Sequence, residues 1–91
     1  MDDKSTLPAD AVRRKLLFRS WHRGTREMDL LLGRFAEAHL PDFTEGQLAL
    51  YAELLQENDP DLYDWLSGKS EPPAHCRNEV MEKLLKFHAS C

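Results

Sequence analysis

Apolar positions in this 91-residue chain recur at helical spacing, and nowhere do they alternate as a half-buried strand requires. Val12, Leu16, Leu17 and Trp21 fall near one face of a first helix expected over about Ala9 to His22. Pro8 stands at its entry, and Asp10 favours the positive end of its dipole. Gly24 fits the position just past a helix end, where a left-handed residue closes the last turn. Thr25 is the expected N-cap of a second helix, with Glu27 and Asp29 in its first turn. Met28, Leu31, Leu32 and Phe35 form that helix's inner stripe, and it ends before Pro41.

The stretch TEGQ, Thr44 to Gln47, reads as a capping box opening a third helix. Leu48, Tyr51, Ala52 and Leu55 face inward from it, and Asn58 is placed to cap its end. A short fourth helix follows, with Asp59 as cap, Pro60 at its first position and Leu62, Trp65 and Leu66 turned to the core. Gly68 stops it. The loop SGKSEPP leads to a fifth helix expected from near Pro73, carrying Val80, Met81, Leu84, Leu85 and Phe87. Val, Ile and Thr are scarce, so the expected class is all-α: a compact five-helix bundle in one domain, with a helical body over 9–88 and a flexible arm over 1–8. A core of this size supports an unfolding free energy of about 5–10 kcal/mol.

Composition narrows the function classes. Apolar residues make up 42% and charged residues 31%, the balance of a folded domain, and no apolar run approaches a membrane span, so no membrane insertion is expected. The acidic, polar start MDDKSTLPAD resembles neither a secretory signal nor a transit peptide, which points to a bacterial, cytoplasmic setting. Net charge is −4, but it is split. Arg13, Arg14, Lys15, Arg19, Arg23 and Arg26 make the early part basic, whereas no Lys or Arg stands between Phe35 and Gly68. The two halves therefore complement one another or a partner of matching polarity; the acidic half would repel nucleic acid. RRKLLFR reads as the solvated face of a core-packed helix, with a membrane-surface helix as the alternative.

Candidate chemistry is sparse. No phosphate cradle, nucleophile–base pair or dinucleotide fingerprint is present, which argues against an enzyme and against tight binding of FAD. The acids of NDPDLYDWL lack calcium-loop spacing. His75, Cys76, His88 and Cys91 are the conceivable metal ligands, but adjacent residues on a helix diverge by about 100° and His88 and Cys91 sit at the chain end, so no metal site is expected. Two scattered cysteines suggest no disulfide.

That leaves RGTRE, Arg23 to Glu27. Alone it reads as a helix-stop glycine beside a surface Arg23–Glu27 ion pair. In company it says more. HRGTREMDLLLGRF, followed after a helix by ENDPDLYDWLSGK, closely resembles the succinate dehydrogenase assembly factors, the SdhE-type flavinylation factors also catalogued as antitoxin CptB-like proteins. The resemblance covers about residues 10–87 and is carried by Arg23, Gly24, Glu27, Asp29, Leu31 and Phe35, then by Asp59, Pro60, Asp61, Leu62 and Trp65. It implies a five-helix bundle that binds the flavoprotein subunit of succinate dehydrogenase and promotes covalent attachment of that subunit's FAD. Fumarate reductase flavoproteins are implied as second clients. The client-facing residues would be Arg23, Gly24 and Glu27, with His22, Arg26 and Asp29 contributing; His22 stands where relatives often carry another basic residue. In this reading Arg23 offers its planar fork of donors to a client carboxylate or carbonyl, and Glu27 orients that fork or accepts from the client. An antitoxin-type regulator of a membrane-associated toxin is the alternative that the catalogue association carries.

Overall fold

The computed structural model describes residues 9–89, so the expected flexible arm over 1–8 and Cys91 lie outside the described residues. Five α-helices and two 3₁₀ turns, with no strand among these residues, confirm the all-α class. They are α1 (Ala9–Trp21), α2 (Arg26–His39), α3 (Glu45–Leu54), α4 (Asp59–Leu66) and α5 (Glu79–Ala89), with 3₁₀ turns at Leu40–Asp42 and Ala74–Cys76. None of these helices is long and apolar enough to cross a membrane.

Local chemistry explains most boundaries. Thr25 caps α2 by accepting from the Met28 amide at 3.2 Å. Thr44 and Gln47 close the expected capping box of α3 reciprocally. Asn58, expected at the end of α3, instead caps the start of α4 and accepts from the Asp61 amide at 3.0 Å. Asp59 is thereby moved inside the helix, and its carboxylate is released for another task. Gly68 is left-handed, with φ of 83°; the amides of Gly68 and Lys69 return to the carbonyls of Trp65 and Asp64, the double bond pattern that seals a helix end. Helix α5 begins at Glu79 rather than near Pro73. The backbone at Arg77 is extended, which separates the Ala74–Cys76 turn from the helix, and Asn78 then accepts from the amides of Val80 and Met81.

The core is one cluster. Leu16 of α1, Met28, Leu32 and Phe35 of α2, Leu48 and Tyr51 of α3, Leu62 and Leu66 of α4 and Val80 and Leu84 of α5 are all buried. Phe35 is its hub, with ring centroids of Phe87, Tyr51 and Phe43 at 5.6, 5.7 and 6.0 Å. Helix α1 packs chiefly on α2. A glycine permits this: a Cβ at Gly33 would lie 2.2 Å from the Trp21 ring, so the indole rests on bare backbone. The Trp21 Nε1 donates to Glu37 at 3.1 Å, which pins the ring there.

Two arginines of the basic segment turn inward. Arg13 donates to the carbonyls of Leu40 and Phe43, at 2.8 and 2.7 Å, and so clips α1 to the link between α2 and α3. Arg23 makes a similar clip one link further on. Part of the charge split is therefore internal complementarity between guanidinium groups and helix-end carbonyls.

The buried hydroxyl of Tyr51 lies 2.6 Å from that of Ser20, which in turn donates to the Leu16 carbonyl. Burial pushes the Tyr51 pKa up from 10.0 to about 12, outweighing the lowering influence of its contact with Ser20. Between pH 10 and 12 the unfolded chain gives up this proton while the folded chain keeps it. The stabilisation is therefore complete below pH 10 and is lost as pH rises through 12, with a magnitude on the order of 2 kcal/mol. Urea unfolding at pH 9 and pH 12 should show this loss in the wild-type chain and not in Tyr51→Phe, which loses the packing hydroxyl but not the pH step.

Candidate functional site

The corner between α1 and α2, residues 22–25, is built from a few exposed backbone groups and one inward arginine. The Arg23 guanidinium spans the gap to the link between α3 and α4. Its Nε donates to Asp59 Oδ1 at 2.9 Å, one terminal nitrogen to the Leu55 carbonyl at 2.6 Å, and the other to the Glu57 carbonyl at 2.7 Å. The Asp59 carboxylate is shared, because its Oδ2 accepts from the Gly24 amide at 2.7 Å. The Arg23 and Asp59 side chains are only 11% and 14% exposed. On the other flank the Arg23 amide donates to the Asp29 carboxylate from the first turn of α2.

This geometry changes the parts played by several residues. Arg23 does not pair with Glu27 at the surface; every nitrogen of its fork is engaged inside the molecule. It acts as a brace, tying the α1–α2 corner to the α3–α4 link. Gly24 is not left-handed, and Gly68 is the glycine with positive φ. The small size of Gly24 serves a close approach instead, since a Cβ there would stand 3.1 Å from Asp59 Oδ2. Asp29 is half-buried and committed to the Arg23 backbone. The outward face is left to His22, Gly24, Thr25, Arg26 and Glu27, all exposed. His22 stacks on the exposed Phe18 ring at 3.9 Å and bonds the Phe18 carbonyl through Nδ1 at 2.7 Å, so its Nε2 edge points away from that contact.

Asp59 is the site residue that local reading misassigned. Its partner lies thirty-six residues earlier in the chain, beyond any helix rule. The signal was nevertheless present: an acidic residue beside Pro60, in a segment that recurs with RGTRE in the resemblance. The two halves of that resemblance meet here as one hydrogen-bonded unit.

Beside Glu27 lies a shallow groove of about 240 Å³, lined by Glu27, Leu30, Leu31, Arg34, Tyr63 and Phe87 among others. Leu30 and Tyr63, each 38% exposed, are among the few large apolar side chains on the surface. An acidic group, a basic group and an apolar floor thus share one face, the make-up of a docking surface with an apolar centre and polar rim. Two groups elsewhere are shifted: burial first, and then the nearby Glu57 charge, raise the Cys76 thiol, and Tyr51 is raised as described.

Fold and site define a small all-α protein in which hydrogen bonds tie the corner between the first two helices to the α3–α4 link. Residues 14–88 match the family described as the flavinator of succinate dehydrogenase, and the chain belongs to that family of succinate dehydrogenase assembly factors. It is 44% identical over 79 residues to the mitochondrial succinate dehydrogenase assembly factor 2 of Dictyostelium discoideum, covering 87% of this chain and 55% of that protein. It is 41% identical over 83 residues to the mitochondrial succinate dehydrogenase assembly factor 2-B of Drosophila mojavensis, covering 89% of this chain and 52% of that protein. The FAD assembly factor SdhE of Acetobacter pasteurianus is 37% identical over 76 residues, covering 84% and 70%. The chain spans about half the length of the mitochondrial relatives it matches. These relatives correct the expectation of a bacterial, cytoplasmic setting: the more similar ones are mitochondrial proteins of eukaryotes, and a bacterial relative stands beside them. The polarity of ten N-terminal residues is a weak guide when nearly half of such a relative lies outside the matched span.

Proposed function

We propose that this chain binds the flavoprotein subunit of succinate dehydrogenase and promotes covalent attachment of FAD to it, with fumarate reductase flavoproteins as further clients. The observation that carries the reading is the braced corner: Glu27 and Arg26 stand exposed at the start of α2, beside a corner that Arg23 and Asp59 tie to the α3–α4 link, next to the Leu30–Tyr63 groove, in a chain of this family. Flavin attachment builds negative charge on the flavin ring while a nucleophile of the client adds to it. Both reacting groups belong to the client, so the helper need supply only a surface that favours the aligned client conformation. Gly24, Arg26 and Glu27 are assigned to direct contact, with His22 at its edge. Arg23 and Asp29 are assigned to positioning. The FAD stays with the client, and the chain acts on it without holding it tightly.

The test is a reconstitution. Purified flavoprotein subunit is incubated with FAD, with and without this chain, and covalent flavin is read as fluorescence on a denaturing gel. A rise of at least tenfold on adding the chain is expected. An unchanged signal, with the client folded and FAD saturating, would remove the proposed activity.

A further inference from the structure

We propose that Glu57, His75 and Cys76 form a binding site for a zinc-like divalent cation that joins the α3–α4 link to the 3₁₀ turn before α5. The carboxylate, imidazole and thiol donors all lie within 4.8 Å of one another. His75 Nε2 is 3.5 Å from Glu57 Oε2, and Cys76 Sγ is 3.7 Å from the same oxygen. Tetrahedral zinc with ordinary bond lengths sets its ligand atoms about 3.4 Å apart for nitrogen and oxygen and about 3.6 Å apart for sulfur and oxygen. The two separations from Glu57 are therefore near the edges of such a tetrahedron before any ion arrives, and the His75 and Cys76 donors need only close toward one another.

The local backbone makes this possible. Adjacent residues in an α-helix diverge too far to share an ion, but His75 and Cys76 lie in a 3₁₀ turn outside α5, and Glu57 reaches them from another link. A cavity of about 30 Å³, lined by Glu53, Glu57, His75 and Cys76 with Leu50, Leu54 and Asn78, lies beside the cluster and is large enough for one ion or water. The donor set is a borderline mixture of sulfur, nitrogen and oxygen, which suits zinc better than magnesium or calcium. Solvent completes the fourth position. Binding replaces the Cys76 thiol proton with the metal and releases that proton to solvent. The Glu57 backbone carbonyl also holds Arg23, so an ion here would stiffen the seat of the brace.

Cobalt(II) is the probe, used on the reduced full chain with Cys91→Ser to remove the other thiol. One equivalent should produce a near-ultraviolet thiolate-to-cobalt absorption that zinc displaces. Cys76→Ser should abolish it, and His75→Ala and Glu57→Gln should each weaken binding at least tenfold. Because His75 is 71% exposed, His75→Ala tests the site without threatening the fold. Zinc should also raise Tm in the Cys91→Ser chain and not in its His75→Ala derivative. Absence of the band, its persistence in Cys76→Ser, or unchanged affinity in the folded His75→Ala chain would overturn the site.

Discussion

Replacing Arg23 by Ala lowers the unfolding free energy by about 3–5 kcal/mol, because it leaves a mostly buried carboxylate without its counter-charge. The Leu55 and Glu57 carbonyls lose their donors at the same stroke. Against an expected total of about 5–10 kcal/mol, such a loss takes away a large part of the stability. Urea unfolding followed by far-UV circular dichroism should show a far lower midpoint with little change in slope. Arg23→Lys should recover only part of the loss, since one ammonium cannot serve three divergent acceptors. An Arg23→Ala midpoint close to wild type would mean that the guanidinium is not the brace described here.

Gly33→Ala is expected to destabilise by about 2 kcal/mol, although alanine favours helices by about 1 kcal/mol over glycine. The clash decides the sign. The added methyl would stand 2.2 Å from a rigid ring, and that ring is held in place by its hydrogen bond to Glu37 of the same helix. Either Trp21 leaves its seat or α1 moves off α2. Gly46→Ala is the control: its Cβ meets nothing nearer than 3.9 Å, so the same exchange there should be neutral or slightly stabilising. Thermal unfolding of both variants, with Trp fluorescence reporting the indole environment, separates the two cases. Equal Tm values would show that the helices have room to spare.

These two residues also mark the limit of what can be read along the chain. Features set by neighbours in sequence were legible: the Thr25 cap, the Thr44–Gln47 box, the Gly68 stop and the inner stripes of α2 and α5 all follow from side chains within four residues of one another. The errors arose where two local solutions competed. Asn58 could end one helix or begin the next, and the tight turn after Leu54 selects the second. Pro73 could open a helix, but Arg77 is extended and delays it. Arg23 and Gly24 lay furthest from reach, because their roles come from Asp59 across the fold. RGTRE shows an arginine, a glycine and a glutamate in a row; only the folded chain turns the first inward and leaves the last outside.

The inward and outward members of the motif should therefore fail in different ways. Arg23→Ala is expected to lose both stability and the promotion of flavin attachment. Glu27→Ala touches an exposed side chain on the first turn of α2, and its Tm should stay within a few degrees of wild type, as surface substitutions do. The most direct single measurement is covalent flavin on the succinate dehydrogenase flavoprotein subunit, reconstituted with Glu27→Ala whose melting curve has been recorded on the same sample. A fall of at least tenfold in flavin with an unchanged melting curve is the expected result. Full flavin attachment by that folded variant would contradict the assignment of this corner as the surface that meets the client.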